Sequence, residues 1–359
     1  MRSVLTCPVC GDQVSAEDRF CEHCGNPLPG SGNGRDGASG VRAAVHAAAA
    51  APPAPAAEDS APCARCGARL DAGACTRCGL RRRPGDHSEL QLGPGTAAGV
   101  SDRGLRHERN EDAMALRTAV LPGAGGGPGR SATAAVVCDG VSSSQRPETA
   151  ARAAAAAGSA ALGESLESGV GTAESLGAAL HRAGRAVSAL ADSAVQAPAC
   201  TFAAAAVPRG GPLGVAWVGD SRAYWLGGGP PAAPSVQLTR DDSWSEAMVA
   251  MSVLTPEQAA DAPQAHALIA WLGADYGGAA GRVAAFDPGG AGSLLLCSDG
   301  LWNYLPDPED LAALVRGAGP EPLAAARACV RLALERGGHD NVTAVVIDVP
   351  GPAAAEGDA

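Results

Sequence analysis

An α+β layered sandwich, preceded by two small cysteine-rich units, is the fold that this 359-residue sequence predicts. Three observations lead there. Strand-like apolar runs and paired helical segments come in separate blocks rather than in strict βαβ alternation. Four CxxC pairs precede the first strand block, in units too small to build an apolar core. A Gly-, Ala- and Pro-rich stretch, 29–62, lies between those units with the composition of a linker.

The first unit, 1–28, holds Cys7 and Cys10, then Cys21 and Cys24 after a ten-residue spacer. The second, 63–80, repeats the pattern with a shorter spacer at Cys63, Cys66, Cys75 and Cys78. Gly11, Gly25, Gly67 and Gly79 each follow the second Cys of a pair, where a tight knuckle lets backbone amides face the thiolates. Four thiolates so arranged make a closed tetrahedral zinc site, and the metal then supplies most of the folding energy. The units resemble a double zinc-ribbon module, which implies one zinc per ribbon and two in total. The linker between them has an r.m.s. span of roughly 30 to 35 Å, so the ribbons are expected to be tethered rather than stacked. Residues 81–94 read as a second linker, with Arg81, Arg82 and Arg83 as a solvated patch.

From residue 95 to 350 the pattern is globular. Strands are expected near 97–102, 112–117 and 132–138, followed by helices over roughly 148–166 and 172–194. Strands at 200–207, 213–218 and 222–226 precede a mixed segment, 239–282, in which Thr255-Pro256-Glu257 starts a helix. A strand at 293–298, helices at 308–317 and 321–336 and a last strand at 342–349 complete the domain. Gly337 and Gly338 are placed to close the final helix. Residues 351–359 read as a disordered tail.

Composition excludes several functions. All 27 basic residues are Arg, so neither the P-loop Lys nor the protein-kinase strand Lys is available. A net charge of −11 argues against a general nucleic-acid or anionic-membrane binder, which needs a basic face. No stretch of ~18 uncharged, strongly apolar residues appears, so no membrane-spanning helix is expected. No signal peptide is visible at the N-terminus, so a cytoplasmic location is the expectation.

The most informative residues are Asp139-Gly140, Asp299-Gly300 and Asp340-Asn341, each beside the end of an apolar strand run, with Asp220 in a fourth such position. Carboxylates gathered beyond strand ends repel one another unless a multivalent cation compensates them. Hard oxygen ligands suit magnesium or manganese. "SDRGLRHERNEDAMAL" (101–116), "VVCDGVSSS" (136–144), "VGDSRAYWL" (218–226), "LLCSDGLWNYL" (295–305) and "GGHDNVTAVVI" (337–347) stand in that order. Together they resemble the metal-dependent protein serine/threonine phosphatases of type 2C.

That resemblance implies a four-layer α-β-β-α sandwich, two antiparallel sheets flanked by helix pairs, with a two-metal site at one end. It makes Asp139 the bridging metal ligand, joined by the Gly140 carbonyl, and Asp299 and Asp340 the other direct ligands. Glu111 and Asp112 correspond to the acidic pair that holds metal-bound waters, and Asp220 to a contributor to a third, weaker metal. A water between the metals would attack phosphorus in line, with Asn341 assisting by hydrogen bonding. The chain departs from the family at two places. His107, flanked by Arg106 and Arg109, stands where an Arg usually lies, so the phosphate grip is open among these three. Val141-Ser142-Ser143-Ser144 replaces a Gly-Gly-His stretch.

Two functions are therefore in view. The first is a phosphatase acting on phosphoserine and phosphothreonine of proteins, the substrates of serine/threonine kinases, with ribbons that recruit a protein partner. The second is a catalytically weak scaffold that binds phosphoproteins. Retention of the acidic cluster favours the enzyme, and no nucleic-acid or membrane partner is expected.

Overall fold

The computed structural model describes residues 62–351 except 72, 124–126, 128, 194–196, 230–232 and 275–280, together with the short strands at 4–6 and 13–15. Cys7, Cys10, Cys21 and Cys24, the first linker and the tail lie outside the described residues.

Strands β1 (Val4–Thr6) and β2 (Gln13–Ser15) pair antiparallel, as do β3 (Leu70–Asp71) and β4 (Ala74–Cys75) of the second cysteine unit. There follow β5 (His87–Leu92), the helical turn α1 (Gly93–Thr96), β6 (Ala97–Asp102), β7 (Ala113–Leu121) and β8 (Arg130–Cys138). Two helices, α2 (Pro147–Glu167) and α3 (Thr172–Ser188), lead to β9 (Ala199–Cys200), β10 (Phe202–Pro208), β11 (Leu213–Val218), β12 (Arg222–Gly227) and β13 (Val236–Gln237). Next come α4 (Trp244–Ala250), α5 (Pro256–Ala260), β14 (Leu272–Gly273), β15 (Arg282–Phe286) and β16 (Gly292–Cys297). The domain ends with α6 (Asp299–Trp302), α7 (Pro308–Gly317), α8 (Pro322–Glu335) and β17 (Val342–Val349).

Two antiparallel sheets organise these elements, in the orders β15-β11-β10-β8-β7 and β13-β12-β16-β17-β6-β5. Period-two alternation assigns each strand residue to one of two faces. In β8, Val136 packs with α2 and α3, through Leu162 and Leu176, whereas Val137 packs with Leu296 and Val345 of the second sheet. The opposite face of that second sheet, through Leu295 and Val346, meets Leu311 of α7 and Val330 of α8. Ala203, Ala204, Ala205 and Ala206 fill both faces of β10, where small side chains let neighbouring elements approach closely. Thr255 and Gln258 form a reciprocal capping box at α5, the helix start read from Thr255-Pro256-Glu257. No helix of the described residues is long and apolar enough to cross a membrane.

Three expectations change. The helix expected over 172–194 ends at Ser188. The strand expected at 112–117 runs instead over Ala113–Leu121. The stretch 81–94, expected as a linker, contains β5, paired with β6 from His87↔Asp102 to Leu92↔Ala97. Polar contacts rather than an apolar pattern hold that edge strand. His87 Nδ1 lies 2.8 Å from Asp102 and its Nε2 3.2 Å from Glu89. Arg327 of α8 grips Glu89 with a fork of 2.9 and 2.6 Å. Burial opposes the Glu89 charge, yet hydrogen bonds from His87 and Arg327 bring its pKa down to about 2. Burial likewise opposes a charged His87, but its bonds to Asp102 and Glu89 prevail and raise its pKa.

Candidate active site

Strand register brings the acidic residues together. Cys138 of β8 pairs with Ala113 of β7, so Asp139 and Asp112, one step beyond each, are neighbours at one sheet edge. In the other sheet Cys297 pairs with both Arg222 and Ala344, which sets Asp299, Asp220 and Asp340 around the same end. Asp139 there feels the charges of Asp112, Asp299, Asp340 and Asp220.

Backbone and hydroxyl bonds fix the positions of Asp139, Asp112 and Asp220. The amide of Asp139 donates to Thr201 Oγ1 at 2.9 Å, and its carbonyl accepts from the Thr201 amide at 2.7 Å. Asp112 Oδ2 accepts from Ser298 Oγ and Thr343 Oγ1, each at 2.7 Å. Trp302 Nε1 donates to the Asp220 carbonyl at 2.9 Å. Asp242 takes the Gly219 amide at 3.0 Å, and Asp241 pairs with Arg222 at 2.7 Å, so the Gly219-Asp220 turn is braced from the loop that follows β13.

Glycine 300 is obligatory for this assembly. A Cβ there would lie 1.9 Å from the Asn341 carbonyl oxygen, because the Asp299 turn packs directly against the Asp340-Asn341 backbone. Gly300→Ala should cost about 1–3 kcal/mol or more in stability by displacing that backbone. Thermal denaturation beside the wild type checks it; an unchanged Tm would mean that the two loops are not in contact.

The charges at this site are mutually unfavourable. Burial, then the neighbouring carboxylates, raise Asp139 and Asp220 well above the usual carboxylate range. The same causes push Asp299 and Asp340 up to about 7, and burial lifts Asp112 to about 6. Among the described residues, Asp112 Oδ1 and Asp299 Oδ1 are buried without any hydrogen-bond partner. Orphaned carboxylate oxygens in a cluster of like charge suit a hard divalent cation.

Other predicted residues fall around this cluster. The His107 side chain is 9% exposed, with a buried Nε2 3.1 Å from Asp340 Oδ1 but off the direction of a hydrogen bond. Burial lowers its pKa, outweighing the carboxylates of Glu111 and Asp299. Arg109 leans on Glu148 at 3.4 Å, and Arg106 is exposed. Glu111 accepts from Ser142 Oγ at 2.8 Å. Asn341 is occupied with the backbone: its Oδ1 accepts from the Glu111 amide at 2.7 Å, and its Nδ2 donates to the carbonyls of Arg103 and Arg109 at 2.8 and 3.0 Å. Gly140 is buried beside Pro147.

Cys63, Cys66, Cys75 and Cys78 form a group whose sulfurs all lie within 4.8 Å of one another. Gly67 and Gly79 take φ values of 70° and 71°, the left-handed knuckle that follows each pair. The amides of Arg77 and Cys78 both point at Cys75 Sγ at 3.4 Å. Those amides bring the Cys75 thiol down to about 6, whereas burial pushes Cys63 up to about 12.

Sequence reading missed Thr201, Asp241, Asp242, Ser298 and Thr343. Ser298 and Thr343 lie inside quoted motifs and Thr201 stands between two strands, where a polar residue next to an apolar run is the signal that could have found them; Asp241 and Asp242, in the loop after β13, leave no such signal.

The sequence profile of protein phosphatase 2C matches residues 105–325, more than half of the chain. The chain belongs to the protein phosphatase 2C family. A zinc-ribbon domain profile matches residues 6–28. The serine/threonine protein phosphatase PstP of Mycobacterium tuberculosis is 37% identical over 141 residues, 39% of this chain and 26% of that protein. The match thus spans about a quarter of the length of this curated relative. The crystal structure of M. tuberculosis PstP/Ppp superposes with a TM-score of 0.56 at 28% identity, covering 71% of this chain and 98% of that one. The PPM phosphatase MsPP of Mycobacterium smegmatis, in complex with cacodylate, gives 0.54 at 30% identity, with 71% and 98% covered. The PstP catalytic domain in complex with two manganese ions gives 0.53 at 26%, with 74% and 99% covered. The α+β class, two antiparallel sheets and a family 2C domain preceded by a zinc ribbon are thus as the sequence predicts.

Proposed function

We propose that the chain is a metal-dependent protein serine/threonine phosphatase. The observation that carries this reading is the pair of orphaned buried oxygens, Asp112 Oδ1 and Asp299 Oδ1, inside a partly buried acidic cluster of a family 2C domain. Asp139, the Gly140 carbonyl, Asp299 and Asp340 would hold two manganese or magnesium ions, with Asp220 contributing to a third, weaker one. Bound divalent cations supply positive charge for the phosphoryl oxygens and a water acidic enough to act as nucleophile near neutral pH.

The chain's own residues prepare that site. Ser298 and Thr343 fix Asp112 so that one oxygen faces the cluster, and Ser142 does the same for Glu111. His107 sits where it can orient Asp340, and Asn341 ties the 103–111 loop to the strand that carries that carboxylate. Of the three candidates for gripping phosphate, exposed Arg106 and Arg109 fit the role better than the less accessible His107. Cys63, Cys66, Cys75 and Cys78 would hold one zinc, and Cys7, Cys10, Cys21 and Cys24 a second. Thiolate zinc sites persist in a reducing compartment, which supports a cytoplasmic location. There it would act on products of serine/threonine kinases, with the ribbons engaging a protein partner.

Oxygen-ligand sites exchange their ions readily, whereas thiolates hold zinc far more tightly. Mild EDTA should abolish hydrolysis of p-nitrophenyl phosphate and manganese should restore it, with about two zinc per chain retained. Activity that survives removal of exchangeable divalents would overturn the reading. Binding of phosphoproteins without divalent-dependent hydrolysis would favour a scaffold instead.

A further inference from the structure

The run Arg81-Arg82-Arg83 is not simply a solvated patch. Arg81 bridges to Ala74 and the Arg82 amide donates to the Gly73 carbonyl at 2.8 Å, so the run lies along the hairpin of the second ribbon. Asp86 fastens that hairpin to the catalytic domain. Its Oδ2 accepts from the Arg83 amide at 2.9 Å and pairs with Arg103 Nε at 3.1 Å, while its carbonyl accepts from the Arg103 amide at 2.7 Å. Ala64, on the first cysteine knuckle, packs against the core beneath α7 and α8.

A cleft of about 500 Å³ opens along this junction, lined by Arg81, Arg82, Arg83 and Arg103, with His107 and Glu108 among its other walls. Four arginines line it against two wall carboxylates, Asp86 and Glu108, so its positive charge is incompletely answered. Asp86 is already engaged by Arg103, and Asp102 by His87 Nδ1 at 2.8 Å and the Gly104 amide at 3.0 Å. The Arg82 side chain is 10% exposed, yet its nearest carboxylate oxygen, on Asp102, is 3.8 Å away. Both terminal nitrogens of Arg82 are buried and lack a hydrogen-bond partner. A buried guanidinium without acceptors is costly, and its planar fork matches the oxygens of a phosphate.

Location narrows the ligand. His107 borders both this cleft and Asp340 of the acidic cluster, so a group bound here lies beside the site of hydrolysis. The volume exceeds that of a lone phosphate and leaves room for a side chain and its backbone. We propose that the junction between the second ribbon and the catalytic domain recognises a second phosphoryl group, carried by a multiply phosphorylated substrate close to the one removed. This rests on the phosphatase reading above, and it gives the ribbon a direct part in substrate choice.

The test compares kcat/KM of the full-length, manganese- and zinc-loaded protein on singly and doubly phosphorylated forms of one peptide, at varied spacing of the two sites. The doubly phosphorylated form should be preferred about tenfold at the best spacing, equivalent to about 1.4 kcal/mol. Arg81→Gln with Arg83→Gln, at exposed positions that do not threaten the fold, should bring the preference close to unity. Arg82→Gln should do the same, and if its burial prevents folding the exposed pair still decides. Equal kcat/KM for both peptides in the wild type overturns the proposal. A site for product phosphate would give that equality, together with inorganic-phosphate inhibition that the Arg81→Gln, Arg83→Gln variant relieves. If neither peptide nor p-nitrophenyl phosphate is hydrolysed, the phosphatase reading is what fails. Equilibrium binding of the two peptides, tighter for the doubly phosphorylated one, then still decides the cleft.

Discussion

Asp139→Asn should lower turnover about a thousand-fold or more, equivalent to about 4 kcal/mol of transition-state stabilisation, while the protein stays folded. Asparagine keeps the shape of the side chain but removes the charge proposed to bridge both cations. The same change relieves repulsion in the metal-free state, since Asp112, Asp299, Asp340 and Asp220 all raise the pKa of Asp139. The variant should therefore melt at or above the wild-type temperature without divalents, yet respond less to added manganese. Ser142→Ala makes the contrast. It removes one hydrogen bond to Glu111 at an exposed position, worth about 1 kcal/mol. Steady-state kinetics of both variants with p-nitrophenyl phosphate, beside melting curves, separate the cases. A dead Ser142→Ala with an active Asp139→Asn would point to a serine nucleophile.

What the sequence made legible follows from the kind of signal each part leaves. Asp139, Asp299 and Asp340 stand at the ends of apolar runs, where a carboxylate is conspicuous, and their position needs only strand periodicity. The cysteine units are equally plain, because thiolate spacing is set by metal geometry. β5 was not legible. His87-Ser88-Glu89 carries no apolar alternation, and the strand is held by Asp102 and Arg327, whose proximity depends on the tertiary fold. Ser298 and Thr343 were obscure for a related reason. A hydroxyl beside an apolar run is compatible with either sheet face, and only the arrival of Asp112 from the other sheet gives both a common acceptor. Asp241 and Asp242 lie in a loop whose role depends on folding back over Gly219, and Arg82 reads as surface until the ribbon docks.

Manganese should stabilise the protein strongly at pH 8 and hardly at all at pH 5. The sign follows from the folded-state pKa values. Asp299 and Asp340 at about 7, and Asp112 at about 6, lie above the 3.8 of an unperturbed Asp. The native state therefore binds protons that the unfolded chain has released, and stability falls as pH rises from roughly 4 to 7, by up to about 1.4 kcal/mol per pH unit for each proton held. His87, with its raised pKa, adds to the decline above pH 6.5, whereas the contribution of Glu89 is present above 4.5 and is lost only as pH falls toward 2. Neither involves a cation, so their effects are equal with and without manganese and cancel in the difference. At pH 8 Asp299, Asp340 and Asp112 are ionised and ready for divalents, and a hundredfold excess over Kd contributes about 2.7 kcal/mol per site. For a domain of this size that amounts to about 5–10 °C in Tm. At pH 5 protons occupy the same oxygens and compete the gain away. Melting curves from pH 5 to pH 8, with and without manganese and with ribbon zinc retained, give the comparison. A metal-free protein whose stability climbs across that range, or a manganese gain as large at pH 5 as at pH 8, would mean that the acidic cluster is not the place where the cations bind.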